Sequence, residues 1–190
     1  MSQVYAKEFD AIVAKAKAAG KPMRVALAGA DVENILVGLF DAAADGFVEP
    51  ILIGKEKKIT ALLDKLGLRE RDYNLQPLDG DANAVQYAIE MINAGKADCL
   101  MRGSTQTRDF LMPVLNKANH LVKPDALVTH VVFLKVPDYD RLLAISDVTL
   151  LINPSADGRR QVAVNMVKAL KAFGVEKPNI ALLSLVEKPS

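Results

Sequence analysis

Hydrophobic and polar residues alternate between two patterns in the first half of the chain. Short apolar runs bounded by glycine or proline are typical of buried strands, and apolar residues spaced three or four positions apart are typical of helices. The short runs lie at residues 23–29, 47–54, 73–78 and 97–101, and a helical segment precedes and follows each of them. The third run is the weakest, because Pro77 has no amide hydrogen to donate to a neighbouring strand. This alternation predicts a three-layer α/β domain with a parallel sheet and right-handed crossovers.

The pattern changes after residue 120. Three apolar runs follow one another without a helix between them, at residues 127–136, 141–146 and 149–152. A turn at residues 137–140, rich in proline and aspartate, predicts that the first two runs form a hairpin. A helix is expected over residues 157–174 and a last strand over residues 179–186. We therefore expect a first α/β domain over residues 1–120 and part of a second over residues 121–190. The last strand would leave an uncovered sheet edge, so the second domain is expected to be incomplete and the chain truncated.

Short polar side chains mark the expected helix ends. Asp31 is expected to cap the helix over residues 32–46, and Thr107 to cap a helix that begins at Arg108. His120 is expected to form a C-terminal cap after that helix.

Composition and charge narrow the classes of function. With 51% hydrophobic and 25% charged residues the chain is globular, and its net charge of +1 gives no electrostatic surface for nucleic acid or an anionic membrane. Its apolar runs are far shorter than the roughly 20 residues of a membrane span, and the N-terminus has no signal-peptide core. A single cysteine, Cys99, fits a reducing compartment, and a cytoplasmic location is expected.

The segment RGSTQTRD, residues 102–109, follows the fourth strand and leads into a helix. Ligands of open parallel sheets bind beyond the carboxyl ends of the strands, and the first amides of a helix favour anions. Gly103 allows close approach to a ligand, and Arg102 and Arg108 carry the fork-shaped donors that bind phosphate. The alternative is an ordinary polar turn, in which Thr107 only caps the helix and Arg108 is only solvated.

Other residues carry weaker signals. His130 lies in an apolar run, where a lone histidine is more often a core or interface residue, and Cys99 is typical of a small buried hydrophobe. Asp147 is either an anchor or a turn former. Asp138, Asp140 and Asp147 lack the spacing of a divalent-metal loop, so no metal site is expected.

Several separated segments resemble one known family. They are VALAGADVENILVGLFDAAADGFVEPILIG, GKADCLMRG, TRDFLMPVLNK, THVVFLKVPDYDRLLAISDVTLLINP and NIALLSLVEK. In order and spacing they are similar to the phosphate acetyl/butyryl transferase family, and most to its phosphate butyryltransferases. The resemblance implies interconversion of acyl-CoA and phosphate with acyl phosphate and CoA. It also implies a two-domain fold like that of the isocitrate and isopropylmalate dehydrogenases, with the active site in the interdomain cleft.

The resemblance also assigns site residues. It implies phosphate or CoA binding by Arg102, Gly103, Ser104, Thr107, Arg108, Asp109 and Thr129. His130 and Asp147 become candidate cleft residues, and the general base is expected in a C-terminal stretch of the relatives that has no counterpart here. Met112 stands where many relatives carry a basic residue.

The expected substrates are acyl-CoA and phosphate, with CoA as a substrate and no tightly bound cofactor. Self-association into a homo-oligomer is expected, because the final strand and the apolar run at residues 130–134 need cover. The alternative is a non-catalytic relative that binds CoA or acyl phosphate, or a subunit that needs a second chain.

Overall fold

The computed structural model describes residues 7–79, 83–139 and 141–183. These residues divide into two compact units. The first unit comprises Val13–Ala126, and the second comprises the residues from Leu127 onward together with those that precede Val13. None of the described helices combines the length and apolar character that crossing a bilayer requires.

Helices and strands alternate along residues 7–119, as the sequence predicts. The elements are α1 (Lys7–Ala18), β1 (Met23–Ala28), α2 (Glu33–Ala44), β2 (Val48–Gly54), α3 (Glu56–Leu66), β3 (Asn74–Pro77), α4 (Ala84–Asn93), β4 (Cys99–Arg102) and α5 (Thr107–Leu115), followed by a 3₁₀ turn (Lys117–Asn119). His120 occupies the C-terminal cap of that turn in a left-handed conformation, with φ 56°, which confirms its expected position.

The four strands form one parallel sheet in the order β3-β2-β1-β4, which confirms the predicted parallel α/β architecture. Pro77 lies in β3, at the edge of the sheet, where it faces Gly54 of β2 and its missing amide interrupts no further ladder. The chain moves outward from β1 to β3 and then returns to the other side of β1 for β4. The carboxyl ends of β1 and β4 therefore flank the point where the strand order reverses, which is the usual ligand position in such sheets.

The strands present opposite faces to two helical layers, because successive side chains of a strand point to opposite sides. On one face Leu27 and Leu52 are fully buried against α2 and α3. On the other face Ala26 and Ile53 pack against α4, and Phe110 of α5 contacts the same cluster. Complete burial of each leucine contributes about 2–3 kcal/mol. The sheet is thus the rigid layer from which the loops at its carboxyl edge project.

The second unit contains the predicted hairpin. Strand β5 (Val132–Lys135) pairs antiparallel with β6 (Leu142–Ile145), which confirms the hairpin, although both strands are shorter than expected. Asp138 takes a left-handed turn conformation with φ 62°, and Asp140 lies outside the described residues. Helix α6 (Ala156–Ala172) follows, and Phe173 just beyond it packs edge-on against Phe133 of β5, with ring centres 4.5 Å apart.

Two predicted strands are wrong in the described part of the chain. Residues 149–152 form a loop, because the amides of residues 149–151 donate to the carboxylate of Asp147 and not to a neighbouring strand. Residues 179–183 also form no strand, and the remainder of the predicted last strand lies outside the described residues.

A charged contact ties β1 to the segment before β4 at the amino edge of the sheet. The guanidinium of Arg24 donates to both carboxylate oxygens of Asp98, at 2.9 and 2.7 Å, and to the carbonyl of Gly95 at 2.7 Å. The backbone amide of Arg24 adds a fourth bond to Asp98, at 3.0 Å. These bonds from the side chain and backbone of Arg24 hold the pKa of Asp98 well below its usual range.

Replacement of Asp98 by asparagine should therefore lower the melting temperature at pH 7 and flatten its decline in acid. The pKa of Asp98 is lower in the folded than in the unfolded chain, so its ionised form stabilises the fold above the unfolded pKa, about 3.9. That stabilisation is lost as the pH falls below this value toward the folded pKa. Thermal unfolding from neutral to acidic pH measures both effects.

The matched control is Asp64→Asn, because the carboxylate of Asp64 lies 4.0 Å from Arg69 in an exposed pair. Equal losses in the two variants would show that the Arg24–Asp98 contact is no stronger than an ordinary surface pair.

Candidate functional site

Backbone contacts fix the loops at the carboxyl edge of the sheet. The amide of Gly103 donates to the carbonyl of Ala28 at 2.9 Å, and the amide of Ser104 donates to the carbonyl of Gly29 at 2.9 Å. The amides of Gly29 and Ala30 in turn donate to the carbonyl of Ile53, at 3.0 and 3.1 Å. The loops after β1 and β4 and the carboxyl end of β2 are therefore joined by hydrogen bonds. We call residues 102–109, which join β4 to α5, the β4–α5 corner.

Glycine is required where the corner meets the loop after β1. A Cβ atom at position 103 would lie 1.8 Å from the carbonyl oxygen of Gly29, closer than any real contact of that kind. Gly29 has φ 79°, and a Cβ atom there would lie 2.7 Å from Ser104 Oγ. The sequence predicted that Gly103 allows close approach to a ligand, whereas the close approach seen here is to the backbone of Gly29. Gly29 was not singled out, and its signal is its position immediately after a buried strand.

Arg102 and Thr107 bind each other across the corner. The Nη1 atom of Arg102 donates to Thr107 Oγ1 at 2.6 Å, and both side chains are exposed. The expectation that Thr107 caps a helix beginning at Arg108 is wrong. Thr107 is the first residue of α5 and Gln106 is the N-cap, whose side chain makes no capping hydrogen bond in the described structure. The Thr107 hydroxyl holds Arg102 against the helix start, and the first-turn amides are left without a side-chain cap.

The other residues of the corner that were expected at the site are Ser104, Arg108 and Asp109, and all three are exposed. Arg108 and Asp109 lie in the first turn of α5. Arg108 adds positive charge, while Asp109 favours the helix dipole but repels an anion. The structure therefore brings together six of the residues expected at the site. The two arginines and the α5 amides favour an anion, and the one carboxylate disfavours it.

The loop after β1 differs from the prediction at Asp31. The N-cap of α2 is Val32, so Asp31 does not cap that helix. Its side chain is directed toward Lys58 of α3, and its carboxylate lies 3.7 Å from Lys58 Nζ. Asp31 Oδ1 and Thr105 Oγ1 are buried at this edge with no hydrogen-bond partner among the described residues.

A second cluster lies in the second unit and centres on Asp147. Its Oδ2 accepts from the amide of His130 at 2.7 Å, and its Oδ1 accepts from the amides of Thr149, Leu150 and Leu151 at 3.0, 2.7 and 3.1 Å. Partial burial raises the pKa of Asp147, but the four amides together outweigh burial and lower it. Asp147 is therefore an ionised anchor for backbone, and its oxygens are already occupied by donors.

Thr129 and His130 lie beside this anchor, just before β5. Asn165 of α6 donates to the carbonyl of Leu127 at 2.9 Å and to Thr129 Oγ1 at 3.3 Å. His130 is exposed rather than part of a core, and its Nδ1 lies 2.9 Å from Thr149 Oγ1. Thr149 and Asn165 were not predicted, because their partners His130 and Leu127 are distant along the chain.

Cys99 begins β4 and is half-buried against the cluster formed by α2 and α3. Burial raises the pKa of its thiol, so the protonated form is favoured.

This geometry defines an open parallel-sheet α/β protein with an arginine-bearing corner at the carboxyl edge of its sheet. The chain has the same fold as EutD phosphotransacetylase from Staphylococcus aureus, with a TM-score of 0.74 at 20% identity over 90% of this chain and 60% of that one. A branched-chain phosphotransacylase from Enterococcus faecalis V583 gives a TM-score of 0.71 at 22% identity over 87% of this chain and 57% of that one.

Sequence comparison leads to the family. The family model for phosphate acetyl/butaryl transferase matches residues 78–190, and the chain belongs to this family. It is 32% identical to a phosphate butyryltransferase of Clostridium acetobutylicum, over 95% of this chain and 60% of the relative. It is 28% identical to a phosphate acetyltransferase of Thermotoga maritima, over 90% of this chain and 57% of the relative. The chain thus spans about 60% of the length of these curated relatives.

The contact between the two glycines predicts the effect of Gly103→Ala. The added methyl would force the corner away from Gly29 and should lower the free energy of unfolding by about 1–3 kcal/mol. Gly38→Ala is the control, because a Cβ atom at that helical position meets no described atom within 4 Å. It should raise stability by about 0.5–1 kcal/mol. Urea unfolding of both variants is the measurement, and a stable Gly103→Ala protein would refute the close contact.

Proposed function

We propose that the chain carries the phosphate-binding part of a phosphate acyltransferase, which interconverts acyl-CoA and phosphate with acyl phosphate and CoA. Family membership supports the reaction class, and the butyryltransferase relative supports a short acyl chain. The observation that carries the proposal is the β4–α5 corner, where Arg102 is held by Thr107 beside uncapped amides.

The corner suits a phosphoryl group for electrostatic reasons. A guanidinium has five N–H donors, and the bond to Thr107 uses one of them, so most of the fork of Arg102 stays available for phosphate oxygens. Arg108 and the first amides of α5 supply further positive charge within one helical turn. In this proposal Gly103 and Ser104 form the floor of the site.

The reaction in the direction of acyl-CoA formation follows from these roles. The CoA thiol loses its proton to a base, and its sulfur forms a bond to the acyl carbon. The bond between the acyl carbon and the phosphate oxygen breaks, and phosphate leaves with the electron pair. Arg102, Arg108 and the amides stabilise the charge that gathers on the departing phosphate. Asp147 is an unsuitable base, because four amides already occupy its carboxylate.

We further propose the setting in which this site works. The two compact units support a dehydrogenase-like two-domain arrangement with a boundary near residue 120, and Thr129 and His130 belong to the second unit. CoA acts as a substrate, and the protein acts in the cytoplasm. Exposed apolar side chains in the second unit support a homo-oligomer, among them Ile152 at 97% and Leu183 at 90% exposure.

Loss of the Arg102 side chain should weaken phosphate binding by about 1.5–3 kcal/mol, which is roughly 10- to 150-fold in Kd. Arg102→Lys should fall between the wild type and Arg102→Ala, because lysine keeps the charge but not the fork. Isothermal titration with inorganic phosphate and with butyryl-CoA measures the affinities. Release of CoA thiol from butyryl-CoA and phosphate measures turnover.

Arg69→Ala is the matched control, since Arg69 is an exposed arginine that lies after α3, at the opposite edge of the sheet. Equal affinities in the Arg102 and Arg69 variants would refute the corner as the phosphate site. Phosphate binding without turnover would instead favour a binding role for this chain.

A further inference from the structure

Two contacts hold His130 in the second unit. Its backbone amide donates to Asp147 Oδ2 at 2.7 Å, and its ring atom Nδ1 lies 2.9 Å from Thr149 Oγ1. Thr149 is itself fixed, because its amide donates to Asp147 Oδ1 at 3.0 Å. One carboxylate therefore anchors the backbone on both sides of the ring contact.

The segment before His130 is also fixed. Asn165 donates to the carbonyl of Leu127 at 2.9 Å and to Thr129 Oγ1 at 3.3 Å, which ties this segment to α6. The Cα of His130 is thus positioned by backbone and by Asn165, independently of its imidazole.

The contact between the ring and Thr149 consequently adds orientation rather than stability. Both side chains are exposed, and an exposed hydrogen bond exchanges water for a protein partner with little net gain. With Nδ1 bound to Thr149, the ring presents Nε2 as its other nitrogen on an exposed side chain. A hydrogen bond at Nδ1 that selects a single tautomer, whichever of the two it is, leaves Nε2 as the atom that a ligand reaches.

We propose that Thr149 is a positioning residue that holds the His130 imidazole by Nδ1 and thereby makes Nε2 the atom that exchanges a proton or hydrogen bond with substrate. This rests on the proposed acyltransferase function. Thr149 acts through His130 and touches no reacting atom.

Nitrogen NMR of the imidazoles tests the proposal without a ligand. The chain has two histidines, so His120 provides an internal reference for His130. In the wild-type chain at mildly alkaline pH, the Nδ1 and Nε2 signals of His130 should be widely separated, as one protonated and one unprotonated nitrogen of a single tautomer. Thr149→Val removes the hydroxyl at similar volume, and should move both signals toward the intermediate positions of exchanging tautomers.

Thr149→Ser is the matched control, because it keeps the hydroxyl and should keep the wild-type pattern, and the His120 signals should not change in either variant. If the valine disturbs the loop amides of residues 147–151, Thr149→Ala provides the same comparison without the branched side chain. Averaged His130 signals in the wild type, or unchanged signals after loss of the hydroxyl, would overturn the proposal.

The outcome is separable from the proposed function. A chain that shows a single Thr149-dependent tautomer of His130 but does not bind inorganic phosphate would retain the positioning role and lose the acyltransferase proposal. If the chain instead binds inorganic phosphate but His130 shows no Thr149-dependent tautomer, Thr149 has no positioning role and the proposed phosphate site at the β4–α5 corner stands.

Discussion

The close backbone contact between Gly103 and Gly29 is the constraint on which the candidate site depends. A methyl group at position 103 would lie 1.8 Å from the Gly29 carbonyl, so the loops after β1 and β4 meet only because both positions lack a side chain. Two amide-to-carbonyl bonds, from Gly103 and Ser104, then hold the loops together. This contact sets the direction of α5 and the place of Arg102. Loss of the contact would leave the same residues in the chain but not at one point in space.

Contacts at both the amino and the carboxyl ends of β1 and β4 hold these two strands in place. At the amino edge Arg24 and Asp98 form a bidentate ion pair. At the carboxyl edge the loops are joined by the contact between Gly103 and Gly29. Between them β1 is buried on both faces, and the half-buried residues of β4 pack against the same two clusters. Hydrogen bonds to backbone have a similar effect in the second unit, where the carboxylate of Asp147 accepts from four amides and fixes the loop beside His130. In both units backbone contacts position the side chains that are proposed to bind a ligand.

The regular alternation of strands and helices was predictable, whereas the hydrogen bonds that individual side chains make to nearby amides or hydroxyls were not. Periodicity located the four parallel strands, and the lack of an amide on Pro77 agreed with its edge position. The proximity of Arg102 to Asp109 was predictable, because these residues lie on a single connection between a strand and a helix. The strand expected at residues 149–152 was wrong because Asp147 captures its amides, a competition that an apolar run does not reveal. Thr107 failed as a cap for a similar reason, since its hydroxyl serves Arg102.

The most direct test of the account is an amide NMR titration of the chain with inorganic phosphate. The account predicts saturable shifts centred on the amides of Ser104, Thr107 and Arg108, with none at the amino edge around Arg24 and Asp98. Chloride at equal ionic strength should leave the corner unchanged, because the site selects a doubly charged oxyanion with fork-shaped donors. Shifts spread over surface lysines and arginines, or identical responses to phosphate and chloride, would contradict the claim that the glycine contact builds a phosphate site.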